Sequence, residues 1–235
     1  MFLGKTVCVI FPTYNEKDSI RAAIREFEEL GVVDQIIVVN NNASEGTSKE
    51  VAGTSAREVC EPEQGYGAAI LRGLRESDSD LTALCEPDGT FVATDLFKLL
   101  EFTRDFDVVY GSRTMNDLIW QGANMGWFLR FGNWAVAKLM EVLYGTASLS
   151  DVGCTFRIMD LEAKALVLEK CTVKGSFFGP EMMIATVKSR LRIVQIPVNY
   201  CERTGISSVT GDKIKAFRLG LRMIALIIEK RFTAL

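Results

Sequence analysis

The sequence predicts a single α/β domain built on a mostly parallel central sheet with helices on both faces. Short apolar segments rich in β-branched residues recur along the chain, and segments with helical periodicity lie between them. Strands that alternate with helices form parallel βαβ units, in which both faces of the sheet are covered. The 235 residues, 48% of them hydrophobic, contain no repeat and no linker rich in Gly, Pro or Ser, so we expect one domain.

Five strands are predicted from short apolar runs that end at turn residues. They are Thr6–Phe11, Gln35–Val39, Leu81–Cys85, Asp107–Tyr110 and Ile193–Tyr200. Five helices are predicted from apolar residues that repeat at intervals of three or four. They are Asp18–Leu30, Gly67–Leu74, Leu96–Phe102, Met115–Tyr144 and Lys213–Arg231. In the first helix Ile20, Ala23 and Phe27 share one face, and Gly31 marks the end.

The composition excludes several kinds of site. There is no histidine, which excludes acid–base catalysis by His, triads that use His and the usual zinc ligand sets. Acid–base work and metal binding therefore fall to carboxylates. The cysteines have no Cys-x-x-Cys spacing, and we expect them to be buried, reduced thiols of a cytoplasmic protein. They are Cys8, Cys60, Cys85, Cys154, Cys171 and Cys201.

Charge is unevenly distributed along the chain. Residues 1–110 hold 10 Lys and Arg against 20 Asp and Glu, whereas residues 111–235 hold 17 against 10. An acidic first half suits a metal ion, and a basic second half suits phosphates or an anionic membrane face. Charges spread over two solvated faces would give the same composition. We expect no nucleic-acid partner.

We divide the chain into a domain of residues 1–210 and a basic amphipathic helix of residues 211–235. This helix either packs on the domain or on a partner, or lies on a membrane surface, where nearby tryptophans also favour the interface. Its apolar positions are Ile214, Phe217, Leu221, Ile224 and Ile228, its basic residues are Lys213, Lys215, Arg218, Arg222, Lys230 and Arg231, and the tryptophans are Trp120, Trp127 and Trp134. Its longest apolar stretch, Met223–Ile228, is far shorter than a spanning helix of about 20 residues. No signal peptide is predicted, so we expect a cytoplasmic protein that attaches peripherally if it meets a membrane.

Four polar motifs directly follow four of the predicted strands. They are Pro12-Thr13-Tyr14-Asn15-Glu16, Asn40–Thr47, Glu86-Pro87-Asp88 and Gly111-Ser112-Arg113. Each alone is typical of turns, in which Asn, Gly and Pro are common. In an open parallel sheet, however, ligands collect at the carboxyl ends of the strands. The sequence therefore predicts a binding site at that edge.

Glu86 and Asp88 are a candidate metal pair. A period of two at a strand end places both carboxylates on one face, roughly 6–7 Å apart at ~3.3 Å per residue. Mg²⁺ or Mn²⁺ with its waters can bridge that gap, and would neutralise charge on a nucleoside-diphosphate leaving group. The alternative is a pair of solvated acids in a turn that contains Pro87.

The order of these motifs resembles family 2 glycosyltransferases with the GT-A fold. The resemblance extends over about residues 5–210 and includes the Gly-rich segment Gly65–Ala69 (GYGAA). The segments Asp151–Arg157 (DVGCTFR) and Ile196–Arg203 (IPVNYCER) are similar to the branch of polyprenyl-phosphate glycosyltransferases typified by dolichol-phosphate mannose synthase.

The resemblance implies a metal-dependent, inverting transfer of a hexose from a GDP- or UDP-sugar to a polyprenyl phosphate, with Mg²⁺ or Mn²⁺ as the cofactor. The residues implied in nucleotide-sugar binding are Pro12, Tyr14, Asn15, Glu16, Asn40, Asn41, Gly65, Gly67, Glu86 and Asp88, of which Glu86 and Asp88 are the metal ligands. Those implied in catalysis are Asp88, Asp151 and Arg113, and those implied in binding phosphate are Arg113, Arg130 and Arg203. An acceptor phosphate is already anionic at pH 7, so it needs no strong base.

Several alternatives stay open at this point. The family usually has Asp-Asp-Gly-Ser where this chain has Asn40–Ala43, and Asp where it has Glu86; amides donate as well as accept, so GDP is not distinguished from UDP. The Gly65–Gly67 segment serves either close approach of a ligand or tight helix packing. Glu181 either supports the site or touches substrate. The rival functions are a transferase with a soluble or glycan acceptor and a catalytically silent nucleotide-sugar-binding subunit. The sugar and the oligomeric state are undecided.

Overall fold

The computed structural model describes residues 1–205 and 213–233, without the side chains of residues 213–217. The strands of this part of the chain are β1 (Val7–Thr13), β2 (Gln35–Asn40), β3 (Arg57–Cys60), β4 (Leu81–Leu84), β5 (Val108–Ser112), β6 (Arg157–Asp160) and β7 (Ile193–Pro197). They form one sheet in the order β3-β2-β1-β4-β6-β5-β7. β6 runs antiparallel to β4 and β5, and the remaining pairs are parallel. The predicted α/β architecture is confirmed.

Helices cover both faces of the sheet, as predicted. They are α1 (Lys17–Glu29), α2 (Thr47–Val51), α3 (Tyr66–Glu76), α4 (Asp95–Phe102), α5 (Trp127–Tyr144), α6 (Leu161–Lys170), α7 (Phe178–Lys188) and α8 (Lys213–Phe232). Ile10 and Val39 face the core shared with α3, α5, α6, α7 and α8. Val9 and Val38 face the core shared with α1 and α4. Adjacent residues of one strand point to opposite faces, which is why both strands are apolar throughout.

Two predicted elements are corrected by the structure, and strands β3 and β6 and helices α2, α6 and α7 were not predicted. Residues 115–144 are not helical throughout: a single 3₁₀ turn at Asn116–Leu118 precedes a loop, and α5 begins only at Trp127. Gly122 interrupts the helix with a φ of +88°. The last strand ends at Pro197 because its partner β5 ends opposite it. Strands β3 and β6 were not predicted, since each has four residues and begins with an arginine.

The described part of α8 packs against the core. Met223, Leu226 and Ile227 are buried there, whereas Leu221 and Ile228 are exposed. Of the predicted positions, Ile214, Phe217, Lys213 and Lys215 lie outside the described side chains, and the predicted boundary at residues 210 and 211 lies outside the described residues. No helix in the described ranges is long and apolar enough to cross a membrane.

All six cysteines are free, as predicted. Cys8, Cys85, Cys154 and Cys171 are buried, but Cys60 is exposed and Cys201 is half-buried, so the prediction of burial is wrong for these two. Cys60 is the last residue of β3, an edge strand that pairs with a neighbouring strand, β2, on one side only.

Candidate active site

A cleft of about 640 Å³ is lined by residues that follow β1, β2, β4 and β5. Ligand pockets commonly measure roughly 300–1,000 Å³. The predicted site residues that line the cleft are Pro12, Tyr14, Glu16, Asn41, Gly65, Glu86, Arg113 and Arg203. The predicted site residues that do not line it are Asn15, Asn40, Gly67, Asp88, Arg130 and Asp151. The structure thus brings all four motifs to one edge of the sheet.

Three carboxylates converge on the guanidinium of Arg203. Its Nη2 lies 2.9 Å from Glu16 Oε1, and its Nη1 lies 2.9 Å from Asp88 Oδ2 and 3.8 Å from Glu86 Oε2. Only 21% of the Arg203 side chain is exposed, so solvent screens these contacts less than it would at the surface. Arg203 therefore occupies the space between the two acids predicted to bind a metal.

Asp88 and Glu86 differ in how deeply they are buried and in what holds their carboxylates. Asp88 is fully buried, and its Oδ1 accepts hydrogen bonds from the N–H and hydroxyl of Thr90 at 3.0 and 2.5 Å. Its Oδ2 accepts no hydrogen bond within the described ranges. Glu86 keeps 27% of its side chain exposed. Burial and the charge of Asp88 nevertheless raise the pKa of Glu86 to about 8, against the opposing charge of Arg203. Burial and the negative charge of Asp88 therefore both disfavour the charged form of the Glu86 carboxyl.

Glu86 and Asp88 fit a divalent cation on one condition. Glu86 Oε2 and Asp88 Oδ2 are oxygen ligands of the kind that such a cation prefers, and both face the position of Arg203 Nη1. The described residues hold no group of three or more acidic, Cys or His side chains arranged around a metal, so further ligands would be phosphates and water. The condition is that Arg203 Nη1 leaves, because one position cannot hold both cations.

Arg113 and Asp151 form a closed ion pair beside these acids. Asp151 Oδ2 accepts from the N–H and Nε of Arg113 at 3.0 and 2.8 Å, and Oδ1 accepts from Nη2 at 3.0 Å and from the Gly153 N–H at 2.9 Å. Burial alone would raise the pKa of Asp151, but the charge and hydrogen bonds of Arg113 outweigh it and lower that pKa. Arg113 also lies 5.2 Å from the centre of the Tyr200 ring. Asp151 thus orients Arg113, and Arg113 lines the cleft.

The cleft continues into an apolar part between α5 and α8. The residues of α5 that line this part are Phe128, Leu129, Phe131 and Val136. The residues of α8 that line it are Leu219, Leu221, Met223 and Ile224. These residues were not among the predicted site residues, although residues 115–144 are rich in aromatic residues and Met. Helical spacing does not tell which residues face a cleft, because the packing of α5 against α8 decides it.

Two further arginines differ in their surroundings. Arg130 lies on α5 outside the cleft lining and donates from Nη1 to Asn116 Oδ1. Arg157 lines the cleft although it is only 2% exposed, and sequence analysis gave it no role. It donates to backbone carbonyls, including that of Gly179 at 3.4 Å, and lies 5.4 Å from the centre of the Tyr110 ring. Its position at the end of the DVGCTFR segment was the available signal.

The sequence model of Glycosyl transferase family 2 matches residues 8–163, a range that runs from the second residue of β1 to beyond the end of β6 and contains all four motifs at the strand ends. The chain belongs to glycosyl transferase family 2. The predicted family is therefore confirmed, and the mostly parallel sheet with one antiparallel strand is its fold in this member.

Two relatives of this family 2 glycosyltransferase align with most of its length. Low-salt glycan biosynthesis hexosyltransferase Agl6 of Haloferax volcanii is 27% identical over 210 residues, which cover 86% of this chain and 49% of that protein. This chain therefore matches about half the length of that relative. Undecaprenyl-phosphate mannosyltransferase of Micrococcus luteus is 27% identical over 221 residues, 87% of this chain and 88% of that protein.

Solved structures confirm the predicted GT-A fold of this family 2 member. Glucosyl-3-phosphoglycerate synthase of Mycobacterium tuberculosis, solved with Mn²⁺, UDP and phosphoglyceric acid, superposes with a TM-score of 0.76. The match covers 98% of this chain and 80% of that one, at 16% sequence identity. At this identity the likeness concerns the fold.

The amides that replace the usual acids in this family 2 member serve as donors within the protein. Asn41 is 3% exposed, and its Nδ2 donates to the carbonyls of Glu61 and Glu63 at 2.8 and 2.7 Å. Its Oδ1 accepts from the Gly65 N–H at 2.8 Å. Asn40 donates to a glutamate of β3 at 2.8 Å. A carboxylate at either position could not donate, so these amides brace the loop beneath the cleft.

Gly65 and Gly67 allow close packing of a neighbouring loop. A Cβ on Gly65 would lie 2.2 Å from the carbonyl oxygen of Lys174, and one on Gly67 would lie 2.2 Å from that of Val173. Glu181 holds this loop, because its Oε2 accepts from the Val173 N–H at 2.7 Å and its Oε1 lies 3.2 Å from a lysine ammonium of α8. Glu181 is fully buried and does not line the cleft, so its contacts are those of a supporting residue.

Proposed function

We propose that this chain transfers a hexose from a nucleoside-diphosphate sugar to a polyprenyl phosphate, with inversion at the sugar and with Mg²⁺ or Mn²⁺. The observation that carries this proposal is the continuity of the cleft, which runs from the acids and arginines at the strand ends to the apolar walls of α5 and α8. A polyprenyl phosphate has an anionic head and an apolar chain, and so matches both parts. The relative named undecaprenyl-phosphate mannosyltransferase supports the same acceptor class.

The donor is assigned to the polar part of the cleft. Tyr14, 44% exposed, offers a ring on which a base can stack, and Asn41 and Gly65 line the same wall. Glu86 and Asp88 would hold the divalent cation, which offsets the charge that develops on the departing nucleoside diphosphate.

The acceptor phosphate is assigned to Arg113. Asp151 binds Nε and Nη2 and so fixes the guanidinium, whose N–H groups on Nη1 can donate to phosphate oxygens. An acceptor oxygen forms a bond to the anomeric carbon while the bond from that carbon to the β-phosphate oxygen breaks, and its electron pair leaves with the nucleoside diphosphate. Attack opposite the leaving group inverts the anomeric configuration. The attacking oxygen is already anionic at neutral pH, so the chemistry needs no histidine base.

The lipid acceptor places the protein at the cytoplasmic face of a membrane in this proposal. On α5, the side chains of Trp127, Phe131 and Trp134 are 73%, 59% and 45% exposed. On α8, Arg218 and Arg222 are exposed and are close in sequence to the residues of α8 that line the cleft. Aromatic side chains beside basic ones suit an anionic interface. Sedimentation with phosphatidylglycerol vesicles, but not with phosphatidylcholine vesicles, is the expected result; equal binding to both, or none, contradicts this placement.

The acceptor is tested by transfer from radiolabelled GDP- and UDP-hexoses. We expect a labelled lipid with a short polyprenyl phosphate in detergent, and none with 3-phosphoglycerate or an oligosaccharide. Phe131→Ser should raise the KM for the lipid without changing the KM for the donor, whereas Phe97→Ser, on α4 outside the cleft, should change neither. Transfer to the soluble acceptors alone would establish the rival transferase. Absence of both transfer and donor hydrolysis would establish a silent subunit.

A further inference from the structure

We propose that Arg203 is a positioning residue that couples donor binding to metal binding. In the free protein its guanidinium holds Glu16, Glu86 and Asp88 together, and it passes to the donor diphosphate when the divalent cation takes its position between the acids. The inference rests on the proposed function as far as the nucleoside-diphosphate donor and the cation are concerned, and it is independent of the acceptor.

Arg203 and a divalent cation would compete for one position. Nη1 of Arg203 lies 2.9 Å from Asp88 Oδ2 and 3.8 Å from Glu86 Oε2, so this nitrogen lies between the two carboxylates. A divalent cation held by both carboxylates would take the place of that nitrogen. Two cations cannot share it, and the guanidinium must withdraw before both carboxylates can bind a metal.

One nitrogen of Arg203 has no partner within this cluster. Arg203 Nε is buried and has no hydrogen bond within the described ranges, whereas Asp88 Oδ2, which also accepts no hydrogen bond, keeps its ion-pair contact with Arg203 Nη1 at 2.9 Å. Buried polar groups are seldom left without a partner, so Arg203 Nε has one still to gain. A phosphate oxygen would supply it, since forked guanidinium donors match phosphate geometry, and a cation would replace Arg203 Nη1 as the counter-charge of Asp88.

Only the side chain of Arg203 has to move in this exchange. The Cys201 N–H donates to Thr90 O and the Thr204 N–H donates to Asp88 O, both at 2.8 Å. These two bonds fix the backbone on either side of Arg203 to the loop that carries Asp88. The guanidinium, at the end of a long flexible side chain that lines the cleft, can therefore change partners while the loop stays in place.

Donor and metal should then bind cooperatively. A diphosphate attracts Arg203 and so frees the acids for the cation, and the cation expels Arg203 and so frees it for the diphosphate. The coupling is reciprocal, since each ligand changes the affinity of the other by the same factor.

The test is a titration of the full chain with Mn²⁺, followed by the electron paramagnetic resonance signal of the free ion, without nucleotide and with GDP or UDP. Without nucleotide, Arg203→Gln should bind Mn²⁺ about tenfold more tightly than the unaltered protein, a factor typical of coupled sites. The increase in Mn²⁺ affinity caused by the nucleotide should shrink correspondingly in this variant. Arg192→Gln, which removes an exposed arginine paired with Asp107, is the matched control and should change neither quantity.

Arg203→Lys provides a second variant in case the charge is needed for folding. A lysine has one nitrogen and cannot contact Glu16 and Asp88 through two separate ones, so its Mn²⁺ affinity should fall between those of the unaltered protein and Arg203→Gln. Mn²⁺ affinity that is unchanged or weaker in Arg203→Gln without nucleotide overturns the inference, even if hexose transfer to polyprenyl phosphate is observed. Tighter Mn²⁺ binding without any such transfer upholds the inference and rejects only the proposed acceptor.

Discussion

Two arginines line the same cleft and meet buried carboxylates in opposite ways. Arg113 and Asp151 are matched, because both oxygens of Asp151 accept hydrogen bonds and three of the four come from Arg113. Arg203 is mismatched, since it faces three acids, leaves its own Nε unpaired in the described chain and leaves Asp88 Oδ2 without a hydrogen bond. Asp151 therefore holds Arg113 in one orientation, whereas the contacts of Arg203 are compatible with the exchange of partners proposed above.

The largest expected effect is on the matched pair. Asp151→Ala leaves the buried Arg113 guanidinium without its counter-ion, and breaking such a pair costs about 3–5 kcal/mol of the free energy of unfolding. Denaturant unfolding followed by circular dichroism measures it. Glu101→Ala, which breaks the exposed pair with Arg104, is the control and should cost about 1 kcal/mol or less. Similar small losses for both variants would remove the distinction between the two arginines.

The next largest effect is on the mismatched cluster, and it concerns activity. Asp88→Asn keeps an oxygen that accepts from Thr90 but removes the charge that faces Arg203. Loss of a group that binds the stabilising cation should lower kcat/KM for transfer or donor hydrolysis about 100-fold or more. The free energy of unfolding should change less than in Asp151→Ala. A variant that retains its rate while losing stability would assign Asp88 a structural role instead.

The smallest effect is a difference in pH dependence. The pKa of Asp151 is lowered, so its stabilisation is present above about pH 3.9 and is lost as pH falls through the lowered pKa. The pKa of Glu86 is raised, so its contribution is present below about pH 4.3 and is lost as pH rises toward the raised pKa. In EDTA, the free energy of unfolding of the unaltered protein should fall relative to that of Glu86→Gln as pH rises from about 4.3 to about 8. Parallel pH profiles for the two proteins would contradict the raised pKa.

The amide-rich turn shows how far a sequence pattern can be interpreted. Asn40 and Asn41 were predicted to contact the nucleotide because the resemblance places them in a nucleotide-binding motif, although the family usually has acids there. In the structure both amides donate within the protein, and Asn41 alone of the two lines the cleft. The pattern located a turn that reaches the cleft, but it did not show what each amide contacts within the protein, because an amide both donates and accepts and its partners are set by the segments that pack against the turn.

The sequence by itself determined the fold class, the family and the edge of the sheet at which the motifs meet. These follow from local patterns: apolar strands alternate with helices, and each polar motif directly follows a strand. Only the tertiary structure decided that Arg203 lies among the acids and that α5 and α8 wall the apolar part of the cleft. Arg203 and Glu16 are 187 residues apart, and their contact depends on how β7 and its following loop pack against the other strands. No local spacing specifies that packing, since it results from the burial of the whole sheet between its two layers of helices.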